Sequence, residues 1–182
     1  MKKGDKYSRL ALRQGYRSRA AIKLMQINDE FNFVKGDVID LGSAPGGCLQ
    51  ALRNLTNGKV VGVDERPVKQ VPGTEFYHQK FETLNLLQKF DTIFSDVGPL
   101  TKLNEVDMDK ALELEKDVVK FMKKYLKTNG NFVMKFFVCE GVKGLLDELS
   151  VYFKKVVLFK PEASRKGNKE MYAVCLNKTM ME

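Results

Sequence analysis

The segment from residue 38 to residue 55 constrains the fold of this chain more than any other. Apolar residues 38–41 lead into Gly42, and Pro45-Gly46-Gly47 overlap the start of a helical pattern over 46–55. This order predicts a buried strand, a tight glycine turn and a helix, with Pro45 near the first helical position. Glycine lets the backbone approach a ligand closely, and the first turn of a helix leaves N–H groups unpaired. We therefore expect a ligand where this strand meets its helix.

Asp64 indicates the kind of ligand. It ends the second apolar run 22 residues after Gly42, and a carboxylate at that distance can accept hydrogen bonds from ribose hydroxyls. The dinucleotide fingerprint requires a glycine where this chain has Ala44, and no Gly-Lys-Ser/Thr follows Gly46-Gly47 as a phosphate loop requires. A nucleoside-type cofactor is the first hypothesis, and a dehydrogenase-like nucleotide enzyme is disfavoured.

Strand and helix patterns alternate along most of the chain, which predicts a mostly parallel sheet with right-handed crossovers and helices on both faces. The link 161–170 is too short for a helical crossover, so the last two strands should form an antiparallel hairpin at or near the sheet edge. This is an α/β fold with seven strands. The expected strands are 38–41, 60–64, 75–78, 92–95, 131–138, 155–160 and 171–176, and the expected helices are 18–31, 46–55, about 109–127 and 142–153.

Composition excludes several classes of protein. The 182 residues are 43% hydrophobic and 30% charged, which fits one soluble globular domain. No apolar run approaches the roughly 18 residues of a membrane span, and the N-terminus lacks the apolar segment of a signal peptide. His78 is the only histidine, so no metal site is expected. Three scattered cysteines favour a reduced protein in the cytoplasm, or in the nucleus or nucleolus of a eukaryote, and we expect a monomer.

The N-terminal segment carries most of the net charge. Residues 1–23 hold eight basic side chains against one acid, a net charge of +7, which leaves +1 for the rest of the chain. Such a basic stripe is typical of a surface that binds a phosphate backbone. The first alternative is a solvated tail, and a less favoured one is a basic membrane anchor. The expected RNA contacts are Lys2, Lys3, Lys6, Arg9, Arg13, Arg17 and Arg19, joined by Arg165 and Lys166 of a later loop.

Three further residues lie at expected strand ends or inside a strand. Asp96 follows an apolar run, Lys135 interrupts a strand that is apolar on both faces, and Glu170 opens the last strand. Each has an ordinary explanation as a turn residue, a frayed strand end or a solvent-facing edge charge. However, lysine is seldom buried without a partner, and the carboxyl ends of parallel strands meet at one sheet edge, where ligands bind.

Together these features resemble the RrmJ/FtsJ family of S-adenosylmethionine-dependent RNA 2′-O-methyltransferases, class I methyltransferases with a Rossmann-like sheet. The resemblance runs in order from about residue 5 to residue 176. Its motifs are Tyr16-Arg-Ser-Arg-Ala-Ala-Ile-Lys-Leu24, Asp40-Leu-Gly-Ser-Ala-Pro-Gly-Gly47, Ser95-Asp-Val-Gly-Pro99, Val133-Met-Lys-Phe136 and Lys160-Pro-Glu-Ala-Ser-Arg165 with Glu170.

The resemblance implies a catalytic tetrad and a cofactor site. The tetrad falls on Lys23, Asp96, Lys135 and Glu170. The residues expected to bind S-adenosylmethionine are Asp40, Gly42, Ser43, Ala44, Pro45, Gly46, Gly47, Cys48, Asp64, Gln79 and Asp96. One domain is expected over 1–182, with residues 1–17 as a basic RNA-binding extension and residues 18–178 as the catalytic core.

Lys135 is the candidate for removing the proton of a ribose 2′-OH. A free lysine has a pKa of about 10.4, and burial and the second ammonium of Lys23 favour its neutral form. The carboxylates of Asp96 and Glu170 act in the opposite direction, so their expected task is to orient the amines and the hydroxyl. In the alternative, Lys135 only steers and polarises the hydroxyl while the proton leaves late.

The chain departs from the family pattern at three places. Cys48 stands where relatives usually have an aromatic residue, and Lys80 aligns with an acid that contacts adenine, so Gln79 or a backbone group is expected to substitute. The segment after Pro99 is also shorter than usual. The expected substrate is a uridine of large-subunit rRNA, with RNA and the large ribosomal subunit as partners. The alternatives are a tRNA anticodon loop, or a non-catalytic RNA-binding module of the same fold.

Overall fold

The chain folds around a seven-stranded sheet. The computed structural model describes residues 5–98, 105–165 and 167–180, and for 105–107 it describes only the main chain. The helices are α1 Lys6–Arg13, α2 Ala20–Phe31, α3 Gly47–Leu55, α4 Glu105–Tyr125 and α5 Val142–Tyr152, with a short 3₁₀ turn at Phe81–Thr83. The strands are β1 Val38–Leu41, β2 Val60–Asp64, β3 Glu75–His78, β4 Phe90–Ser95, β5 Leu126–Phe137, β6 Phe153–Phe159 and β7 Glu170–Lys178.

The strand order confirms the predicted fold class. The order is β3-β2-β1-β4-β5-β7-β6. Strands β1 to β5 pair in parallel, whereas β7 runs antiparallel to both of its neighbours, β5 and β6. The predicted terminal hairpin is therefore present, with β6 at the edge and β7 inserted between β6 and the parallel strands.

Both faces of the sheet are buried, because successive residues of the central strands belong to different hydrophobic cores. In β5, Phe132, Met134 and Phe136 join the core under α4 and α5, whereas Val133 joins the core under α2 and α3. The residues of β1 are shared between the two cores in the same way, with Ile39 and Leu41 in the first and Val38 in the second. This is expected because successive strand residues point to opposite faces. Within the described residues, no helix combines the length and apolar character that a bilayer crossing requires.

Several element boundaries differ from the predictions. Strand β5 begins at Leu126 and not at 131, because Leu126 already pairs with Phe90. An irregularity in which Asn129 has a φ of +61° shifts the register before Asn131 pairs with Thr92. Helix α4 begins at Glu105, earlier than the predicted 109, and ends at Tyr125. The predicted helix 46–55 begins at Gly47, so Pro45 lies in the turn before the helix and not at its first position.

The basic N-terminal segment contains a helix that the sequence did not predict. Helix α1 is capped by Asp5, whose carboxylate accepts a hydrogen bond from the Ser8 amide at 2.9 Å. Ala11 packs against Ile22 of α2 and Ala163 in the loop before β7. From residue 6 onward the segment is therefore docked on the sheet-and-helix body, which contradicts the alternative of a solvated tail.

Candidate active site

Strand register aligns the candidate site residues along one edge of the sheet. Leu41 of β1 pairs with Val63 of β2 on one side and with Ser95 of β4 on the other. Ser95 in turn pairs with Met134 of β5. Each of these four residues is followed directly by a predicted site residue, and in chain order these are Gly42, Asp64, Asp96 and Lys135.

Strand β7 and helix α2 complete the cluster. Antiparallel pairing sets Tyr172 opposite Lys135 and Glu170 opposite Phe137. Lys23, on the buried side of α2, forms an ion pair with Glu170. Lys23 is 5% exposed and Glu170 is 8% exposed, so the explanation of Glu170 as a solvent-facing edge charge is wrong.

A continuous chain of contacts joins the four predicted catalytic residues. Lys23 Nζ lies 3.4 Å from the hydroxyl of Tyr172, and that hydroxyl donates to Asp96 Oδ1 at 2.6 Å. Lys135 Nζ lies 3.3 Å from Asp96 Oδ1 and donates to the main-chain oxygen of Asp96 at 2.7 Å. The structure therefore brings Lys23, Asp96, Lys135 and Glu170 together, with Tyr172 as the link. We call these five residues the tetrad network.

Tyr172 is the member of the network that sequence reasoning missed. It is completely buried, and its ring stacks on Phe94 with centroids 6.3 Å apart. Burial, followed by the negative charges of Asp96 and Glu170, raises the pKa of Tyr172 well above its ordinary value. The residue therefore stays a phenol that donates a hydrogen bond. Its position two residues after Glu170, on the same side of β7, was the available signal.

Opposing effects set the charge of Asp96. Burial raises the pKa of Asp96, but the ammonium groups of Lys135 and Lys23 and the hydrogen bond from Tyr172 lower it more. The pKa of Asp96 is consequently below its ordinary value. Asp96 is a carboxylate at neutral pH, and it is held between one buried lysine and one that reaches the ligand cavity.

An open cavity of about 510 Å³ adjoins Lys135 and Asp96. This volume lies within the usual range of small-molecule sites, roughly 300–1,000 Å³. The five predicted cofactor residues that line it are Gly42, Ala44, Asp64, Gln79 and Asp96. Further lining comes from residues that the sequence did not single out as cofactor contacts, among them Glu65, Arg66, Phe81, Glu82, Val97 and Gly98.

The glycine turn approaches β4 closely enough to require glycine. Gly42 has a φ of +79°, and a Cβ at this position would lie 2.8 Å from Cγ2 of Val97. Asp64 Oδ2 accepts a hydrogen bond from the Ala44 amide at 2.8 Å, and Arg66 contacts the other oxygen, Oδ1, at 3.2 Å. Asp64 therefore both closes the turn and presents a carboxylate at the cavity wall.

Several predicted cofactor residues are not among those that line the cavity, and their contact with the cofactor stays a prediction. Ser43 is buried, since its hydroxyl donates to the main-chain oxygen of Asp40 at 2.8 Å and accepts from the Val63 amide at 2.9 Å. Burial raises the pKa of the Cys48 thiol, and the charges of Asp40 and Asp96 add to this effect. The predicted cofactor residues outside the lining are Asp40, Ser43, Gly46, Gly47 and Cys48, which are buried, and Pro45, which is exposed.

Asp40 has an unusual environment beneath the turn. It is fully buried, and among the described residues neither carboxylate oxygen has a hydrogen-bond partner. Burial, reinforced by the charges of Asp96 and Asp64, raises the pKa of Asp40 to about 8. A buried carboxyl without partners is stable only when it keeps its proton, so Asp40 is a neutral acid in the folded protein at pH 7.

The predicted RNA contacts fall into three groups. Lys6, Arg9 and Arg13 are exposed along one face of α1, and Arg165 is exposed in the loop before β7. Arg17 and Arg19 have partners within the protein, Arg17 main-chain oxygens and Arg19 the carboxylate of Asp5, and RNA contact by these two residues stays a prediction. Lys2, Lys3 and Lys166 lie outside the described residues.

Lys80 does not substitute for the acid that relatives have at its position. It is exposed, and its amine lies 3.9 Å from the carboxylate of Glu65. Gln79 lines the cavity next to Phe81 and Glu82, which keeps Gln79 as the predicted adenine contact. No group of three or more metal-ligating side chains occurs within the described ranges.

Comparison with known proteins gives the family. The profile described as FtsJ-like methyltransferase matches residues 16–178. The chain belongs to the FtsJ-like methyltransferase family. It is 38% identical to "Ribosomal RNA large subunit methyltransferase E" of Methanococcus vannielii, over 95% of this chain and 73% of that protein. A protein of the same name from Nitrosopumilus maritimus is 37% identical, over 94% of both chains.

A solved structure supports the same family. A Plasmodium falciparum protein, provisionally assigned as a ribosomal RNA methyltransferase, superposes on this chain with a TM-score of 0.80. The superposition covers 91% of this chain and all of the other, at 26% identity. The predicted resemblance to the family is confirmed, and the protein is a methyltransferase.

The state of Asp40 gives the first testable prediction. An unfolded aspartate titrates near pH 3.9, whereas folded Asp40 holds its proton up to a pH of about 8. Between these values only the folded state binds the proton, so the free energy of unfolding falls as the pH rises through this window. Asp40→Asn removes that contribution, and urea unfolding at a series of pH values should show a flatter profile for the variant.

Exposed Asp109 provides the matched control, because Asp109→Asn should keep the wild-type profile. Glu115, whose pKa burial raises to about 7, is present in all three proteins and cancels in the comparison. If the free energy of unfolding changes equally with pH in the wild type and in Asp40→Asn, folded Asp40 does not hold a proton at neutral pH.

Proposed function

We propose that the protein transfers the methyl group of S-adenosylmethionine to a ribose 2′-OH of RNA. The observation that carries this proposal is the tetrad network at the end of the cavity: two lysines that hold one ionised aspartate beside a ligand site. Such an arrangement can grip a hydroxyl and set its direction.

The cavity suits S-adenosylmethionine. The wall at Gly42 has no room for a side chain, so the ligand can approach the main chain of the turn. Asp64 and Gln79 both line the cavity; the carboxylate of Asp64 would accept hydrogen bonds from the ribose hydroxyls, and Gln79 would bind the adenine. The lining carries both signs of charge, the carboxylates of Asp64, Glu65, Glu82 and Asp96 and the cations of Arg66, Lys80 and Lys135. It therefore offers partners for the amino and sulfonium groups of S-adenosylmethionine and for its carboxylate. When bound, the cofactor supplies a methyl group that its sulfonium has already activated.

Within the site, Lys135 and Asp96 would orient the acceptor. The 2′ oxygen gains the methyl group as the carbon–sulfur bond breaks, and it loses its proton. Because Lys135 is ion-paired with an Asp96 whose pKa is lowered, the alternative in which Lys135 steers the hydroxyl fits this structure better than proton removal by a neutral amine. The proton then leaves late, when the forming bond has made the oxygen acidic enough for Asp96 or water to accept it.

The RNA would reach this site across α1 and the loop before β7. Lys6, Arg9 and Arg13 share one exposed face of α1, as residues three and four apart do in a helix. The Tyr7 hydroxyl donates to Glu162 at 3.1 Å, which fastens α1 to this loop. Ser164 of the same loop donates to Glu170 of the tetrad network at 3.1 Å. The basic helix is thus joined to the catalytic cluster through short contacts.

The names of the relatives support large-subunit rRNA as the substrate, and we propose a uridine of that RNA, methylated on free rRNA or on the ribosomal subunit. We further propose that the protein works in the cytoplasm as a monomer. A tRNA anticodon loop is the competing substrate, and it is treated as an outcome of the test.

Methyl transfer with labelled S-adenosylmethionine tests the proposed function directly. Purified large-subunit rRNA and tRNA are the acceptors, followed by alkaline hydrolysis, which cannot cleave next to a 2′-O-methyl group. We expect label from rRNA in alkali-resistant dinucleotides. Lys135→Met should reduce transfer by at least two orders of magnitude while cofactor affinity stays within about threefold, because only the hydroxyl loses its orienting group.

Lys154→Met serves as the matched control, since Lys154 is exposed on the edge strand β6, and it should keep wild-type activity. Label that appears in mononucleotides would indicate base methylation and contradict the proposal. Label only in tRNA would replace the substrate, and the absence of any transfer by the wild-type protein would favour the non-catalytic module.

The RNA surface on α1 gives a separate prediction. Neutralising three phosphate contacts should reduce the slope of log affinity against log salt by roughly 2 to 3 units, because each contact releases close to one counterion. The variant Lys6→Gln, Arg9→Gln, Arg13→Gln should show this change in filter binding at several salt concentrations. A triple variant with the same loss of charge at exposed Lys143, Lys154 and Lys155 should keep the wild-type slope. Equal slopes in the two triple variants would contradict the assignment of α1.

A further inference from the structure

Arg17 connects the two chain segments that enclose the cofactor cavity. Its Nη1 donates to the main-chain oxygen of Pro45 at 3.4 Å and to that of Lys69, and its Nη2 donates to that of Gln70 at 3.0 Å. Pro45 belongs to the glycine turn after β1, whereas Lys69 and Gln70 lie in the segment after β2. Each segment also contributes cavity-lining residues, Ala44 from the first and Arg66 from the second.

The glycine turn is shaped around this guanidinium. Gly46 has a φ of +103°, and a Cβ at this position would lie 2.7 Å from Nη1 of Arg17. The positive φ favours glycine at this position, and the guanidinium of Arg17 occupies the space where a side chain would lie. The neighbouring Gly47, the first residue of α3, meets Ser18 in the same way, since a Cβ there would lie 2.9 Å from the Ser18 amide nitrogen.

The main chain around Arg17 is fixed independently of its charge. The Arg17 amide donates to Oε1 of Gln50 at 3.0 Å, and Nε2 of Gln50 donates to the main-chain oxygen of Gly15 at 3.2 Å. Gln50 lies in the first turn of α3, directly after the glycine turn. The connector from α1 to α2 is therefore clasped to the helix that begins at the cofactor site, and Arg17 is held ready to reach both cavity walls.

We propose that Arg17 is a positioning residue for the cofactor, which sets the separation of the glycine turn from the segment after β2. This inference deepens the proposed function and rests on its choice of S-adenosylmethionine as the cofactor. The planar guanidinium can bond several carbonyls at fixed angles, whereas the single ammonium of lysine cannot span them. Arg17 thus acts on cofactor affinity and not as a phosphate contact, which distinguishes it from Lys6, Arg9 and Arg13.

The test separates the effect of the planar shape of the Arg17 guanidinium from the effect of its positive charge. Arg17→Lys keeps the positive charge but loses the bridging geometry, so its affinity for S-adenosylmethionine, measured by calorimetry without RNA, should fall by roughly threefold to tenfold, as expected for the loss of one or two hydrogen bonds. The salt slope of RNA binding should stay at the wild-type value. The same substitution at exposed Arg9, Arg9→Lys, is the matched control and should leave cofactor affinity unchanged.

Gln50→Leu provides a second variant that involves no charge and leaves the guanidinium intact. It should weaken cofactor binding in the same direction, because the connector loses its clasp, while thermal unfolding confirms that the variant is folded. Wild-type cofactor affinity in both Arg17→Lys and Gln50→Leu would overturn the inference, as would a loss of RNA affinity alone. Failure of the wild-type protein to bind S-adenosylmethionine would instead overturn the proposed function.

Discussion

The buried contact between Lys23 and Glu170 is the interaction on which the site depends. It joins helix α2 to the first residue of β7, and through Tyr172 it extends to Asp96 and Lys135. Buried ion pairs contribute little net stability, because the cost of desolvation offsets their attraction, yet removing one partner typically costs about 3–5 kcal/mol. A hydrophobic cluster would hold these elements together as well, so the charges indicate chemistry and not only folding.

The network also fixes the state in which each group works. Asp96 remains ionised because two ammonium groups and a phenol surround it, whereas Asp40, which has no such partners among the described residues, keeps its proton. These two aspartates lie close to the same turn and differ in charge because of their surroundings alone. Lys135 faces the cavity beside an ionised acid, and an amine in this position is suited to hold a hydroxyl in line with a methyl donor.

The fold and the core of the site could be predicted because both follow from local patterns. Apolar strands alternating with amphipathic helices determine a parallel sheet, and the residues after those strands meet at one edge, as Gly42, Asp64 and Asp96 do. The motifs around Lys23 and Glu170 supplied the rest through the family resemblance. The predicted helix runs to about residue 127, whereas β5 begins at Leu126, because a strand there depends on pairing with Phe90 and not on its own composition.

What could not be predicted depends on contacts between distant residues. Helix α1 is short and strongly basic, and it is stabilised by Ala11 packing against Ile22 and Ala163. The sequence presents Arg17 as one more cation in a basic stripe, although its carbonyl partners Pro45 and Gln70 lie 28 and 53 residues further along the chain. Charge is visible in a sequence, but the decision between a phosphate contact and a structural contact is made by the tertiary structure.

The two lysines act as one unit around Asp96, which Lys135 contacts directly and Lys23 reaches through Tyr172. A double-mutant cycle with Lys23→Met, Lys135→Met and the combined variant, measured as kcat for methyl transfer at saturating cofactor, tests this coupling most directly. Residues that act as a unit are strongly non-additive, so we expect the double variant to be no slower than the slower single variant. If the two losses in kcat instead multiply, the two lysines act independently, and their coupling through Asp96 is wrong.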